Sequence, residues 1–297
     1  MRLVNCAKIN IRWFSTRNIM HFMSLIWDRL DFNLRWLDGL VPPLNLRLKV
    51  GPFSKARFFR AVGEDFLKLI IKLAGLRPDA NVLDVGCGCG QLAIALTKYL
   101  KQGIYEGFDI NDELIDWCKK NISSKYPNFH FELIDLYHQH YNPHGKYKAS
   151  KLKFAYSNDS FDSVILGSVF THMLPADICN YFSEISRVLR KGGKCIVTYF
   201  LLNTASIQSI HKGISSIDFK YVYKYYRTRN EERPESAVAY EENYIRGLYK
   251  KHGLRISEPA AYGKWHLGRF KFCGVSWPLY LKNDFGNYQD TIVAVKD

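Results

Sequence analysis

The most constraining feature of the chain is the run Val82-Leu83-Asp84-Val85-Gly86-Cys87-Gly88-Cys89-Gly90, a short apolar stretch that meets three alternating glycines. Such a stretch reads as a buried strand, and the apolar positions after it, Leu92, Ala95, Leu96 and Tyr99, predict a helix over 91–100. A glycine loop between strand and helix lets the backbone approach a ligand at the carboxyl edge of a sheet, where side chains would stand in the way.

The grammar repeats along the chain. Residues 53–76 read as a helix with Gly75 near its end, Ile104–Phe108 as a second strand followed by Asp109, and Asn111 as the cap of a helix bearing Leu114, Ile115, Cys118 and Ile122. Phe129–Ile134 is a third strand ending at Asp135, Ser163–Val169 a fourth, and Ala176–Leu189 a helix. Lys191-Gly192-Gly193-Lys194 turns the chain into a fifth strand, Cys195–Leu201. Strands alternating with helices predict a parallel α/β sheet covered on both faces. Residues 202–253 break the rhythm, with Tyr221, Tyr223, Tyr225 and Tyr226 among lysines and arginines, before late strands at Arg255–Pro259 and Asp290–Val295.

Charge narrows the class of ligand. The chain of 297 residues carries a net charge of +14, which invites a polyanionic partner, yet residues 81–135 hold eight acids against five bases. An acidic pocket inside a basic surface suits a small-molecule site better than nucleic acid bound all over. Seven scattered cysteines without a C-x-x-C pair argue against a disulfide scaffold and for a reducing, cytoplasmic setting, with Cys87 and Cys89 as small loop fillers. Residues 18–41 read as an amphipathic helix, either packed on its own domain or a peripheral foot on a membrane.

Gly86 and Gly88 fit the dinucleotide pattern, but its last position is Gln91, and Asp84 places negative charge where phosphates would lie. A cofactor without phosphates is favoured. The run resembles the first motif of class I S-adenosylmethionine-dependent methyltransferases, acid-x-Gly-x-Gly-x-Gly, matched position by position by Asp84, Gly86, Gly88 and Gly90. The resemblance implies S-adenosyl-L-methionine as cofactor and a Rossmann-like seven-stranded sheet, mostly parallel, whose last strand is antiparallel, with helices on both faces; the residues themselves suggest no metal site. It implies that Asp109, with Ile110 beside it, holds the ribose hydroxyls and that Asp135, with Leu136, receives the adenine amino group. Cys87 in the loop and Ser168 past the fourth strand complete the cofactor set implied. The resemblance spans residues 49–297, with 1–48 as a basic extension and 202–253 as an inserted cap. Ser168–Met173, Arg187-Val188-Leu189 and Lys49-Val50-Gly51 resemble a bacterial branch found beside glycosyltransferases and natural-product genes.

Methyl transfer is an in-line displacement, so the protein aligns the reactants and excludes water. An alcohol acceptor must also lose a proton, and His172, past the fourth strand, is the candidate base. His138, His140 and His144 are spaced as metal ligands could be, but no neighbouring carboxylate or thiol completes a set, so they read as a polar loop over the pocket. Tyr221 to Arg229 could either stack on an acceptor or pack on the sheet domain. The expected acceptor is a hydroxyl of a sugar, glycolipid or secondary metabolite. An RNA methyltransferase and a non-catalytic scaffold that kept the fold are the alternatives.

Overall fold

The structure is a computed structural model that describes residues 39–272, 275–278 and 288–297, with side chains outside 269–278. The amphipathic segment 18–41 lies outside the described residues except for its last three positions. Two compact units divide after Phe59. The first contains helix α1 (Leu44–Lys49), which ends where the Arg47 guanidinium donates to the Ser54 carbonyl at 3.4 Å. The last carbonyl of helix α2 (Ala56–Ala74) accepts from the Lys194 ammonium at 2.7 Å.

The second unit is built on a seven-stranded sheet. Its elements are β1 (Val82–Val85), α3 (Gln91–Leu96), β2 (Tyr105–Asp109), α4 (Asp112–Cys118), β3 (Phe129–Leu133), β4 (Phe161–Leu166), α5 (Pro175–Val188) and β5 (Leu189–Tyr199). Strands β10 (Leu254–Ile256) and β13 (Asp290–Lys296) complete the sheet in the order β10-β13-β5-β4-β1-β2-β3. The pairs among β1 to β5 are parallel, as the alternation of strand and helix predicts, and β13 runs antiparallel to both neighbours, as the resemblance implies. Asn111 caps α4 by accepting the Leu114 N–H at 3.3 Å.

Several boundaries differ: the helix predicted over 91–100 ends at Leu96, the strand predicted at 255–259 ends at Ile256, and two strands of the main sheet shift for a visible reason. The fifth strand begins at Leu189, six residues before Cys195, because the glycine pair forms an irregularity within the strand, with Gly192 at φ +75°, and Leu189 already pairs with Phe161. The fourth strand stops at Leu166, short of Val169, because Ser168 takes a left-handed φ of +61°. Helix α5 buries Ile178, Phe182 and Ile185 completely against β4 and β5, each contributing about 1.5–3 kcal/mol.

The segment 202–253 is a small sheet followed by a core helix. Strands β6 (Leu201–Leu202), β7 (Tyr221–Val222), β8 (Tyr226–Thr228) and β9 (Val238–Glu241) form a four-stranded sheet in the order β6-β9-β8-β7, with helix α6 (Thr204–His211) closed by an Asn203–Ser206 capping box. Its own core is Phe200, Leu202, Phe219, Ala237, Ala239 and Trp265. Helix α7 (Glu242–Lys251) belongs instead to the main core, where Tyr249 meets Phe182 ring to ring at 4.7 Å and the Tyr199 hydroxyl at 2.8 Å. The inserted sheet therefore ends at Glu241, ahead of the expected boundary at 253. A further hairpin, β11 (Arg269–Phe272) with β12 (Val275–Pro278), has no counterpart in the sequence reading.

Asp290 joins the two sheets. Its buried carboxylate accepts from the Leu201 N–H at 2.7 Å, the Gly263 N–H at 2.8 Å and the Trp265 indole at 2.7 Å. Asp290→Ala leaves these donors unpaired and should cost about 3 kcal/mol, read as a lower urea midpoint with unchanged slope. An unchanged midpoint would show that the carboxylate is not the joint.

Candidate active site

The glycine loop is tied to the second strand before any ligand enters. The Phe108 carbonyl accepts both the Gly86 N–H at 2.8 Å and the Cys87 N–H at 3.0 Å, and the Asp109 carboxylate accepts the Gly88 N–H at 2.8 Å and the Asn111 N–H at 3.0 Å. Gly86 sits at φ +74°, and a Cβ there would lie 2.5 Å from the Val169 side chain, so the segment after β4 presses directly on the loop. Gly90 has the same φ, and a Cβ on it would meet Ile122 at 2.6 Å. Neither position tolerates a side chain.

Burial pushes the Asp109 carboxyl up, and the N–H groups of Gly88, Asn111 and Ile110 hold it down. The two oxygens offer about four lone-pair sites, so three backbone donors still leave room for a hydroxyl donor. Ile110 thus contributes through its amide. Asp84 lies deeper: burial pushes its carboxyl up to about 7, while the Tyr105 hydroxyl, donating at 2.7 Å, opposes that rise. Tyr105 is a supporting residue that the sequence reading missed. Only the strand register, which sets Val82 beside Tyr105, reveals it. Cys87 and Cys89 are buried, and burial pushes the Cys87 thiol well up, consistent with a neutral filler.

Asp135 follows β3 close to Asp109, since the Ile134 N–H donates to the Asp109 carbonyl at 2.9 Å. Its carboxylate accepts the Lys146 N–H at 3.3 Å and stands 3.5 Å from the Lys146 ammonium, while Leu136 beside it is buried. Ser168 donates its hydroxyl to Gln289 at 2.9 Å, and Thr198 donates to the same oxygen at 2.6 Å. That carbonyl oxygen ties β4's exit to the residue before β13.

His172 stands in a short turn after Val169. Its Nδ1 is 3.0 Å from the Glu235 carbonyl, which can only accept, so the proton resides on Nδ1 and Nε2 keeps its lone pair. Burial lowers its pKa to about 4, leaving a neutral imidazole at neutral pH. His138 has the opposite tautomer: Nε2 donates to the His172 carbonyl at 3.1 Å, and Nδ1 accepts the N–H groups of His140 and Tyr141 at 3.1 and 3.2 Å. Both ring nitrogens of His138 are thus committed to backbone, and among the described residues no group of His, Cys, Asp and Glu is arranged to hold a metal. The Tyr141 ring packs edge-on against His172 at 5.6 Å. Neither Tyr141 nor Glu235 carries a sequence signal for this place, because both sit in loops brought together by the inserted sheet.

The tyrosines of the insert are largely used among themselves. Tyr225 stacks on Tyr244 at 4.7 Å, and Tyr226 stacks on Tyr223 at 4.6 Å. This is the packing alternative, with only the outer parts of Tyr223 and Tyr225 open.

Residues 76–232 match the model of the Methyltransferase domain family. The chain is 25% identical over 134 residues to 2-phytyl-1,4-naphtoquinone methyltransferase of Trichormus variabilis, covering 45% of this chain and 52% of that protein. It is 28% identical over 153 residues to the uncharacterized methyltransferase YcgJ of Bacillus subtilis, covering 49% and 53%. The chain thus spans about half the length of the curated relatives it matches. The solved PH0226 protein of Pyrococcus horikoshii superimposes with a TM-score of 0.50 at 20% identity, over 80% of this chain and 91% of that one. The fold and the site together define a Rossmann-like cofactor-binding protein. The chain belongs to the Methyltransferase domain family.

The raised pKa of Asp84 makes stability depend on pH. The folded value of about 7 lies above the ordinary 3.8, so the group's contribution is complete below about pH 4 and is lost as pH rises through 7. Against Asp84→Asn, the wild type should lose stability over that window with a slope approaching ~1.4 kcal/mol per pH unit. Parallel stability curves for the two proteins would show that Asp84 titrates normally.

Proposed function

We propose that the chain transfers a methyl group from S-adenosylmethionine to a hydroxyl of a small-molecule acceptor, a sugar, glycolipid or secondary metabolite. When bound, the cofactor supplies a methyl group already activated by a positively charged sulfur. The loop Gly86–Gly90 offers it a close backbone surface, Asp109 its carboxylate for the ribose, and Asp135 with Leu136 the edge for the adenine. Asp109, whose backbone donors favour its charged form, offers negative charge that suits a cation.

The observation that carries the hydroxyl reading is the tautomer of His172. Its Nδ1 proton is held on the Glu235 carbonyl, and its chain neighbour Val169 packs on the glycine loop. Nε2 is therefore the basic atom of a neutral imidazole, the form that takes a hydroxyl proton as the new C–O bond forms and the C–S bond breaks. The naphtoquinone methyltransferase among the relatives favours a second acceptor class for the same site, a ring carrying a lipid tail.

Two measurements test this reading. Asp109→Ala should weaken S-adenosylmethionine binding by about 1.5–3 kcal/mol in calorimetry, the range for a hydrogen bond to a charged group; equal affinity would remove Asp109 from the ribose site. His172→Ala should leave that affinity intact yet lower transfer of labelled methyl groups to an extracted hydroxyl acceptor by roughly 10²–10⁴. Normal transfer by the variant would assign His172 to packing alone.

A further inference from the structure

The edge of the inserted sheet is a hairpin whose tip is apolar and aromatic, with two lysines, Lys220 and Lys224, against its tyrosine rings. Strand β7 is the outermost strand, and the Tyr223 N–H donates to the Tyr226 carbonyl at 2.9 Å to close the turn. Val222 is 65% exposed, the most exposed large hydrophobic among the described residues, and Tyr223 and Tyr225 are 38% and 40% exposed. The Lys220 and Lys224 ammonium groups stand 5.0 and 4.9 Å from the ring centroids of Tyr221 and Tyr225. From Lys212 to Arg229 there are five cations and one acid, Asp218.

The tip has a firm base. Tyr225 stacks on Tyr244 of α7, and its carbonyl accepts the Glu241 N–H at 2.9 Å. Tyr223 stacks on Tyr226 with the planes 6° apart. A held tip with an exposed valine, tyrosine rings and flanking lysines matches the polarity profile of a lipid headgroup region, in which aromatic rings sit at the interface and cations meet phosphates.

We propose that the hairpin 221–226 docks on the surface of an anionic lipid bilayer, with Val222 and Tyr223 entering the headgroup layer and Lys220 and Lys224 pairing with lipid phosphates. Charge complementarity selects this occupant over a second copy of the chain, since like charges would oppose each other and edge lysines deter strand pairing. Nucleic acid fits less well, because Tyr225 already stacks on Tyr244 and has the Lys224 ammonium 4.9 Å from its centroid, and Val222 has no ring on which a base can stack. The same sheet carries Tyr240, whose hydroxyl donates to the Met173 carbonyl beside His172. The seated hairpin therefore holds the acceptor side near lipid. Resting on the methyl-transfer reading, this makes a lipid-borne acceptor the class served.

The test is sedimentation of the full chain with phosphatidylcholine vesicles and with phosphatidylcholine–phosphatidylserine vesicles. The wild type should bind the mixed vesicles and lose them as salt rises. Lys220→Glu with Lys224→Glu, and separately Val222→Asp with Tyr223→Asp, should each lower partitioning about tenfold or more. Val222→Trp should raise it. Calorimetry with S-adenosylmethionine should read the same in every variant, which reports an intact fold. Absence of wild-type binding, variants that bind like wild type, or a loss produced only by Ile26→Asp with Leu30→Asp would overturn the proposal. So would tight binding of single-stranded RNA in place of vesicles. A wild type that sediments with vesicles but ignores S-adenosylmethionine would instead overturn the methyl-transfer reading and leave the hairpin standing.

Discussion

The Phe108 carbonyl accepts two successive N–H groups at the start of the glycine loop, and the next residue, Asp109, takes a third through its carboxylate. The loop is therefore bound to β2 at three consecutive amides, and its shape is set before a ligand arrives. Much else follows from this attachment. Because β2 lies beside β1 in parallel register, a carboxylate at its end stands next to the loop that needs it. Because Gly86 lacks a side chain, Val169 can close on the loop and bring the turn holding His172 with it. Preorganisation of this kind lets binding energy go into aligning reactants rather than ordering the loop.

Burial and hydrogen bonding divide the acids of the pocket by role. Asp84 has one donor, the Tyr105 hydroxyl, and is drawn toward the neutral form by its surroundings. Asp109 has backbone donors on both oxygens, which favour the charged form, while Asp135 is half-exposed beside Lys146. Three acids that look alike in sequence thus face different environments. His172 and His138 show the same division in their tautomers, each fixed by a backbone carbonyl that belongs to another segment.

The parts that were legible in the sequence are those governed by local rules. The apolar run before Gly86 had to be a strand, the glycines had to be a loop, and Asn111 had to be a cap, because each follows from a few neighbouring residues. The reversal at β13 came with the family resemblance, while the order of the strands is a finding of the structure. The end of β4 was misread because a left-handed serine has no compositional mark, and the fifth strand because its glycines read as a turn when they are an irregularity within it. The segment 202–253 read as one cap, although its last helix carries Tyr249 into the main core.

What the sequence alone determined is the glycine loop, the alternation of strand and helix around it, and the acids Asp84, Asp109 and Asp135 at or near successive strand ends. Those features depend on periodicity and spacing, which a chain carries in one dimension. Only the tertiary structure decided that Tyr105 serves Asp84, that Glu235 sets the proton of His172, and that Asp290 joins the two sheets. Glu235 lies 63 positions from His172 and Asp290 89 from Leu201, so the contacts exist only after the sheets close. A hydrogen bond is a matter of ångströms, and no local pattern encodes which distant carbonyl will stand at the end of a side chain.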